Sequence, residues 1–360
     1  MNSPRLENTP PPTAEARMLI GGRYRVIRPL GSGGVGMVYL ATDTQTAEHV
    51  AVKVLCGASE WDEEKAKRFD REFEALKQMR HTGVVRVLTK GFYRDEPFFA
   101  MEYLPGYSLS DLIVGPPPDT RQILGYVLLF RSVFETLKYI HGEGIIHRDL
   151  TPANIRIVPG GTVKLVDFGL AKVSMPGPEL TLAGQVMGTA AYMSPEQASG
   201  EPIDARSDLY SAGICLYHAI TGCLPFASFN PIILAGMHKL DMPSTPSFRN
   251  PCVPRDVEDL VISLMEKKPE NRFPSAEAAL SALDEVMASH RADNPPRSAE
   301  LTRLRVGREA FSAPDDGPMP QQVVDEEVRD TSPARRRTGE AQGFRARLRA
   351  IFRGKRPPAG

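Results

Sequence analysis

The feature that most constrains this chain is the run His147-Arg148-Asp149-Leu150-Thr151-Pro152-Ala153-Asn154, followed by Lys164-Leu165-Val166-Asp167-Phe168-Gly169. The apolar pieces ahead of the two turns, Gly144-Ile145-Ile146 and Thr162-Val163-Lys164-Leu165-Val166, predict two short buried strands. Each strand would deliver a carboxylate, Asp149 or Asp167, into a turn, with Asn154 close behind the first. Either turn alone is most simply explained by Asp or Asn bonding to its own backbone. Together they suit a site that holds a divalent cation and takes the proton from a hydroxyl. Magnesium binds a few carboxylate or amide oxygens plus substrate phosphates, and phosphoryl transfer needs a group that orients its nucleophile.

The 360 residues allow one large domain or two modest ones, with enough apolar side chains for a core. Lys plus Arg and Asp plus Glu are equal at 44 each, so no overall attraction to nucleic acid is indicated. The four cysteines, Cys56, Cys215, Cys223 and Cys252, have no metal-ligand spacing and read as reduced thiols of a cytoplasmic protein. The first residues are Pro-rich and polar, without the apolar stretch of a signal peptide. The longest apolar run, Ile123 to Phe134, is interrupted by Arg131 and is too short to cross a bilayer.

Residues 1–20 are expected to be disordered. Alternating apolar patterns then predict strands at Tyr24 to Leu30, Val35 to Ala41 and His49 to Leu55, a helix from Asp62 to Arg80, and strands at Val84 to Tyr93 and Pro97 to Tyr103. From Leu109 onward the periodicity is mostly helical. Ile123 to His141 and the nearly all-apolar Ser207 to Thr221 predict long helices, the second buried on all sides. Val257 to Lys267 and Ser275 to Met287 predict two more, with Ser275 as N-cap and Glu277 in the first turn. The pattern ends near His290, and the composition of the remainder predicts disorder.

Gly31-Ser32-Gly33-Gly34-Val35-Gly36-Met37-Val38 lies between two strand patterns. Glycines let a turn bring backbone N–H groups close to phosphate oxygens. A dinucleotide fingerprint would need a helix next; here a strand pattern and a Thr-Asp-Thr turn follow, which favours strand–loop–strand. Lys53 sits among apolar neighbours in Val50-Ala51-Val52-Lys53-Val54-Leu55, where burial of its charge needs a counter-ion. Glu72 and Glu74 on the next helix are the candidates, and Glu72 is preferred.

In this order, these motifs resemble a protein kinase catalytic domain, most closely the eukaryotic-like Ser/Thr kinases of bacteria, over about Tyr24 to Met287. The resemblance implies an α+β, two-lobed protein kinase fold: a small antiparallel-sheet N-lobe (21–104) and a larger helical C-lobe (105–289), with a tail from 290 to 360. It implies transfer of the ATP γ-phosphoryl group to Ser or Thr of protein substrates, with magnesium, or manganese in its place. Leu30, Gly31, Gly33, Gly36, Val38, Ala51, Lys53, Met101, Glu102, Leu104 and Arg156 would bind ATP, with Glu102 to Leu104 as the hinge. Glu72 would pair with Lys53, Asp149 would be the base, and Asn154 and Asp167 would hold metal. His147, Phe168 and Leu76 match residues of an apolar stack. Gly188 to Glu196 resembles a substrate-docking segment centred on Thr189, with Glu196 pairing to Arg272 and Asp208 bracing the catalytic loop. Arg148 suggests phosphate-dependent ordering, with Thr181, then Ser174, as acceptors.

Two residues depart from the family pattern. Thr151 stands where a lysine usually offers charge to the transferred group, which predicts a slower enzyme and keeps open a nucleotide-binding scaffold without transfer. Arg156 replaces an apolar residue beneath adenine, and could offer its stem or stack its guanidinium. In the tail, Phe344, Leu348, Ile351 and Phe352 recur at helical spacing among arginines. Segment 344–356 therefore reads as a contact for an anionic membrane surface or an acidic partner. No feature assigns an oligomeric state.

Overall fold

The computed structural model describes residues 18–33, 36–56, 63–168 and 190–290. These fall into two compact units.

The first unit comprises residues up to Lys77 together with Arg86–Tyr103. It is built on a six-stranded antiparallel sheet: β1 (Leu19–Ile20), β2 (Tyr24–Gly33), β3 (Gly36–Asp43), β4 (His49–Leu55), β5 (Val87–Tyr93) and β6 (Glu96–Glu102). The spatial order is β1-β2-β3-β4-β6-β5. Leu19 and Ile20, expected within the lead-in, pair with Arg25 and Tyr24, and Ile20 is fully buried. Period-2 alternation sends Tyr24, Val26, Ala41, Val50, Val52, Val54, Phe98 and Ala100 into one apolar cluster on one face. Helix α1 (Glu63–Gln78) buries Ala66, Phe69, Phe73 and Leu76, three or four residues apart, and Phe69 meets Phe99 of β6 at 6.4 Å between ring centroids. Burying each of the phenylalanine and leucine side chains favours folding by roughly 1.5–3 kcal/mol. Acidic residues in its first turn and Lys77 in its last complement the helix dipole.

The second unit holds Gln78–Val85 and the residues from Leu104. A three-stranded sheet runs β7 (Tyr107–Ser108), β8 (Ile155–Ile157), β9 (Val163–Leu165). The helices are α2 (Leu109–Leu112), α3 (Thr120–Gly142), α4 (Pro195–Ser199), α5 (Ala205–Thr221), α6 (Pro231–Leu240), α7 (Pro246–Arg249), α8 (Arg255–Leu264) and α9 (Ala276–Ser289). As expected, α5 is buried all round, and α3, α8 and α9 pack on it. Ser275 caps α9, its hydroxyl accepting from Ala278 N.

Three expectations are corrected. The strand predicted from Val84 begins at Val87, and Gln78–Val85 belongs with the helices rather than the sheet lobe. The cause is local pairing: Leu165 N donates to Gly83 O (2.7 Å), Val85 N donates to Leu165 O (3.1 Å), and His81 stacks on Tyr139. Leu104 also lies in the helical unit, because its carbonyl accepts from Arg156. Gly144-Ile145-Ile146 forms no strand. Ile145 N instead closes the end of α3 on Ile140 O after a left-handed Gly144, and β9 takes β8 as its partner.

Candidate active site

In the sheet unit, the glycine-rich stretch is a β2–β3 hairpin, with Gly31 opposite Val38 and Gly33 opposite Gly36. This is the strand–loop–strand expected. Gly36 is required there: at φ +151° it lies where a Cβ would stand 2.0 Å from Val54 O. Across the sheet, Val38 faces Lys53, Lys53 faces Phe99, and Ala51 faces Met101. Directly paired residues share a face, so Val38, Ala51, Lys53 and Met101 occupy the face opposite the apolar cluster. It is also the face on which Phe69 brings α1 against Phe99. Leu30 is partly exposed beside the hairpin.

The choice between Glu72 and Glu74 can now be argued from contacts. Lys90 of β5 is only 8% exposed; its ammonium lies over the Phe73 ring and binds Asp70 and Glu74, the latter at 2.8 Å. That bond holds the Glu74 carboxyl below its usual range. Glu74 is thus committed to β5. Glu72 is half-buried on α1, three residues after Phe69 and four before Leu76. The Glu102 side chain accepts from Arg86 N (2.8 Å), and Glu102 N donates to Arg86 O, which fixes the end of β6.

In the helical unit, the two turns are joined around His147. Asp208 of α5, 1% exposed, accepts from His147 N (2.8 Å), Arg148 N (2.9 Å) and His141 Nε2 (2.8 Å). A buried carboxylate needs such partners, and these fix Arg148 at φ +63°, a conformation costly for a residue with a Cβ. Burial pushes the His147 pKa down, so its ring is neutral. Nε2 then donates to Val166 O (3.0 Å), and Nδ1 faces Asp149 N. The ring also packs on Phe168 at 4.7 Å. Leu76, the other expected member of that stack, is buried in the sheet unit.

Asn154 closes the arrangement. Its Nδ2 donates to Asp149 O (2.8 Å) and lies 3.4 Å from Asp149 Oδ2, while its own carbonyl accepts from Val166 N, the residue before Asp167. With the amide nitrogen engaged, the Asn154 side chain has its oxygen left to offer. An amide oxygen and the Asp167 carboxylate are hard donors that fit magnesium. Among the described residues, no three His, Cys, Asp or Glu converge as a metal cage, so the remaining ligands would be phosphate oxygens and water. Thr151 is nearly buried and precedes the short 3₁₀ turn Pro152–Asn154.

Arg156 directs its guanidinium to backbone carbonyls. Its Nη2 donates to Leu104 O (3.0 Å) and Gly106 O (2.9 Å), tying β8 to the turn that leads into β7. The expected Glu196–Arg272 pair is present and buried, at 2.7 Å.

One residue with a part in this geometry went unnoticed in the sequence. Gln197 Nε2 donates to Arg148 O at 2.8 Å. The Ser194-x-x-Gln197 spacing signals a helix cap, but nothing local announces the second contact. Gly169, Ser174, Thr181, Gly188, Thr189 and segment 344–356 lie outside the described residues. Among the described residues, no helix is long and apolar enough to cross a membrane.

Comparison with known proteins shows the family. The family model of the protein kinase domain matches residues 24–283. A probable serine/threonine-protein kinase of Clostridium perfringens is 35% identical over 285 residues, 78% of this chain and 41% of that protein. The serine/threonine-protein kinase PknB of Mycobacterium tuberculosis is 34% identical over 323 residues, 87% of this chain and 51% of its own length. The chain thus spans about half the length, or less, of these relatives. Among solved structures, the M. tuberculosis PknI kinase domain superposes with a TM-score of 0.59 at 26% identity, covering 76% of this chain and 98% of that one.

Proposed function

Because the chain belongs to the protein kinase domain family, we propose that it is a protein-serine/threonine kinase, transferring the γ-phosphoryl group of ATP to protein hydroxyls. The observation that carries this reading is the joined pair of turns. Asp149, Asn154 and the backbone next to Asp167 are linked by hydrogen bonds, and Asp208 holds the loop from behind.

On this reading Asp149 takes the proton of the acceptor hydroxyl as its oxygen bonds the γ-phosphorus and the bond from that phosphorus to the β–γ bridging oxygen breaks, releasing ADP. Asn154 Oδ1 and the Asp167 carboxylate would hold a divalent cation, magnesium or manganese, which when bound would offset charge on the phosphates. Gly31, Gly33 and Gly36 give backbone N–H groups to the phosphates, and Lys53, held by Glu72, adds a cation. Leu30, Val38, Ala51 and Met101 give apolar surface to the base, and Glu102 and Leu104 give backbone polar groups. Arg156 contributes its stem, since its guanidinium is turned to the Leu104 and Gly106 carbonyls. Thr189 serves the docking of a Ser/Thr substrate, and Thr181 or Ser174 accepts phosphate in autophosphorylation.

Incubation with ATP and magnesium followed by phosphosite mapping tests this. Phosphate on Ser or Thr is expected, and Asp149→Asn should slow incorporation by about 10²–10⁴-fold. A wild-type protein that binds ATP yet incorporates no phosphate with either metal would refute transfer and leave the nucleotide-binding scaffold.

A further inference from the structure

We infer that Gln197 is a positioning residue for Asp149, coupling helix α4 to the catalytic loop through the carbonyl of Arg148. The inference rests on the reading of Asp149 as the base.

The Gln197 side chain is fixed at both ends. Its Oε1 accepts from Ser194 N (2.9 Å), and its Nε2 donates to Arg148 O (2.8 Å). Gln197 N in turn donates to Ser194 Oγ (3.2 Å), completing a capping box on α4. That carbonyl belongs to the peptide bond that carries Asp149. Its N–H side faces His147 Nδ1 at 3.4 Å, a long contact beside the 2.8 Å bond that Gln197 gives its carbonyl. The plane needs holding, because Arg148 sits at φ +63° and a small rotation there swings the Asp149 carboxylate. Asp208 fixes the N–H groups of His147 and Arg148, which come before this peptide plane. Gln197 fixes the carbonyl that follows them.

A capping role alone does not call for glutamine. Glutamate at the third helical position closes the same box equally well, and its charge suits a helix N-terminus. What glutamate lacks at neutral pH is the N–H that meets Arg148 O. Gln197→Glu therefore separates the two roles in a side chain of the same size: it keeps the cap and sets a carboxylate against a carbonyl. Helix α4 is itself anchored by the buried Glu196–Arg272 pair next door. Displacement of residues 195–199 would be felt at Asp149 through the Gln197 amide.

The test uses the full chain and its Gln197→Glu variant. Peptide phosphorylation by the variant at pH 8 is expected to show kcat lowered about 10–100-fold with the KM for ATP unchanged, the size of effect that a small misplacement of a catalytic group produces. The variant-to-wild-type ratio should rise as pH falls toward 5.5, because the introduced carboxyl regains a donor when it is protonated. Amide hydrogen exchange without ligand should be faster over residues 147–150 in the variant and unchanged over α5. A variant with wild-type kcat, or a slowed one with a flat pH ratio and unaltered exchange over 147–150, would overturn the inference. If the wild type transfers no phosphate, the kinase reading fails, and the exchange over 147–150 still decides whether Gln197 holds the loop.

Discussion

Replacing Arg272 tests how much of the helical unit depends on one buried guanidinium. A guanidinium has five N–H groups, and here each has a partner. Nε donates to Glu266 O (2.7 Å), Nη1 to Glu196 Oε1 (2.7 Å) and Arg206 O (2.9 Å), and Nη2 to Glu196 Oε2 (2.8 Å) and Lys267 O (2.9 Å). Burial alone would push the Glu196 carboxyl up, but Arg272 and Ser207 outweigh it and hold it below its usual range. The pair is therefore ionised and out of water. Arg272→Ala leaves Glu196 as a buried charge with Ser207 as its remaining side-chain partner, a change that costs about 3–5 kcal/mol. Arg272→Lys keeps the charge but supplies three donors in place of five and cannot grip both carboxylate oxygens in a planar fork. At roughly 1 kcal/mol per lost hydrogen bond it should cost about 2 kcal/mol. Urea unfolding followed by far-UV circular dichroism measures both, and kcat should fall in step because α4 carries Gln197. A lysine variant within about 0.5 kcal/mol of wild type, or an alanine variant costing under about 1 kcal/mol, would refute the claim that the fork holds this region.

Arg156→Leu removes two hydrogen bonds from the turn at Leu104–Gly106. At about 1 kcal/mol of net effect, ATP affinity by calorimetry should weaken roughly fivefold while kcat stays near wild type. Unchanged or tighter binding would show that the turn keeps its shape without the guanidinium. Fully buried His238, whose Nδ1 meets Tyr210 Oη at 3.0 Å, has its pKa pushed down to about 3 by burial and by the charge of Lys267. A depressed folded-state value means that the unfolded chain binds the proton first. Stability is then complete above about pH 6.5, the unfolded value, and is lost as pH falls toward 3, by about 1.4 kcal/mol at pH 5.5 from this residue alone. Urea midpoints between pH 7 and 5 should show His238→Gln with a shallower slope than wild type, and identical slopes would count against the assignment.

Much of this molecule was legible because the signals were local. Alternation marked β2, β3, β4 and β6, and helical spacing marked α1, α3, α5, α8 and α9, to within a few residues at each end. The order of the motifs then brought Asp149, Asn154 and Asp167 to one loop system. What failed were places where a distant partner outvotes the local pattern. Val84 and Val85 read as strand, yet their hydrogen bonds go to Leu165, some eighty positions later, and to the turn at His81. Ile145 and Ile146 are as β-prone as any pair in the chain, but α3 and Asp208 claim the neighbouring polar groups and no ladder remains for them.

The charges follow the same logic, and here the consequence reaches function. A lone lysine or arginine in sequence shows that a positive charge exists but not where it is neutralised. The ammonium of Lys90 takes up Asp70 and Glu74, which supports Glu72 as the proposed partner of Lys53. Arg156 looked like an intrusion into an apolar position, and two carbonyls some fifty residues upstream absorb its donors. Its departure from the family pattern is thus offset within the helical unit by hydrogen bonds that an apolar residue could not make. Thr151 is different in kind. It adds no charge that could be misplaced; it omits one, and its own side chain makes no capping bond to the 3₁₀ turn it precedes. A missing cation at a phosphoryl-transfer site lowers the rate without disturbing the fold. Of the two departures, then, Arg156 should be read out in nucleotide affinity and Thr151 in kcat.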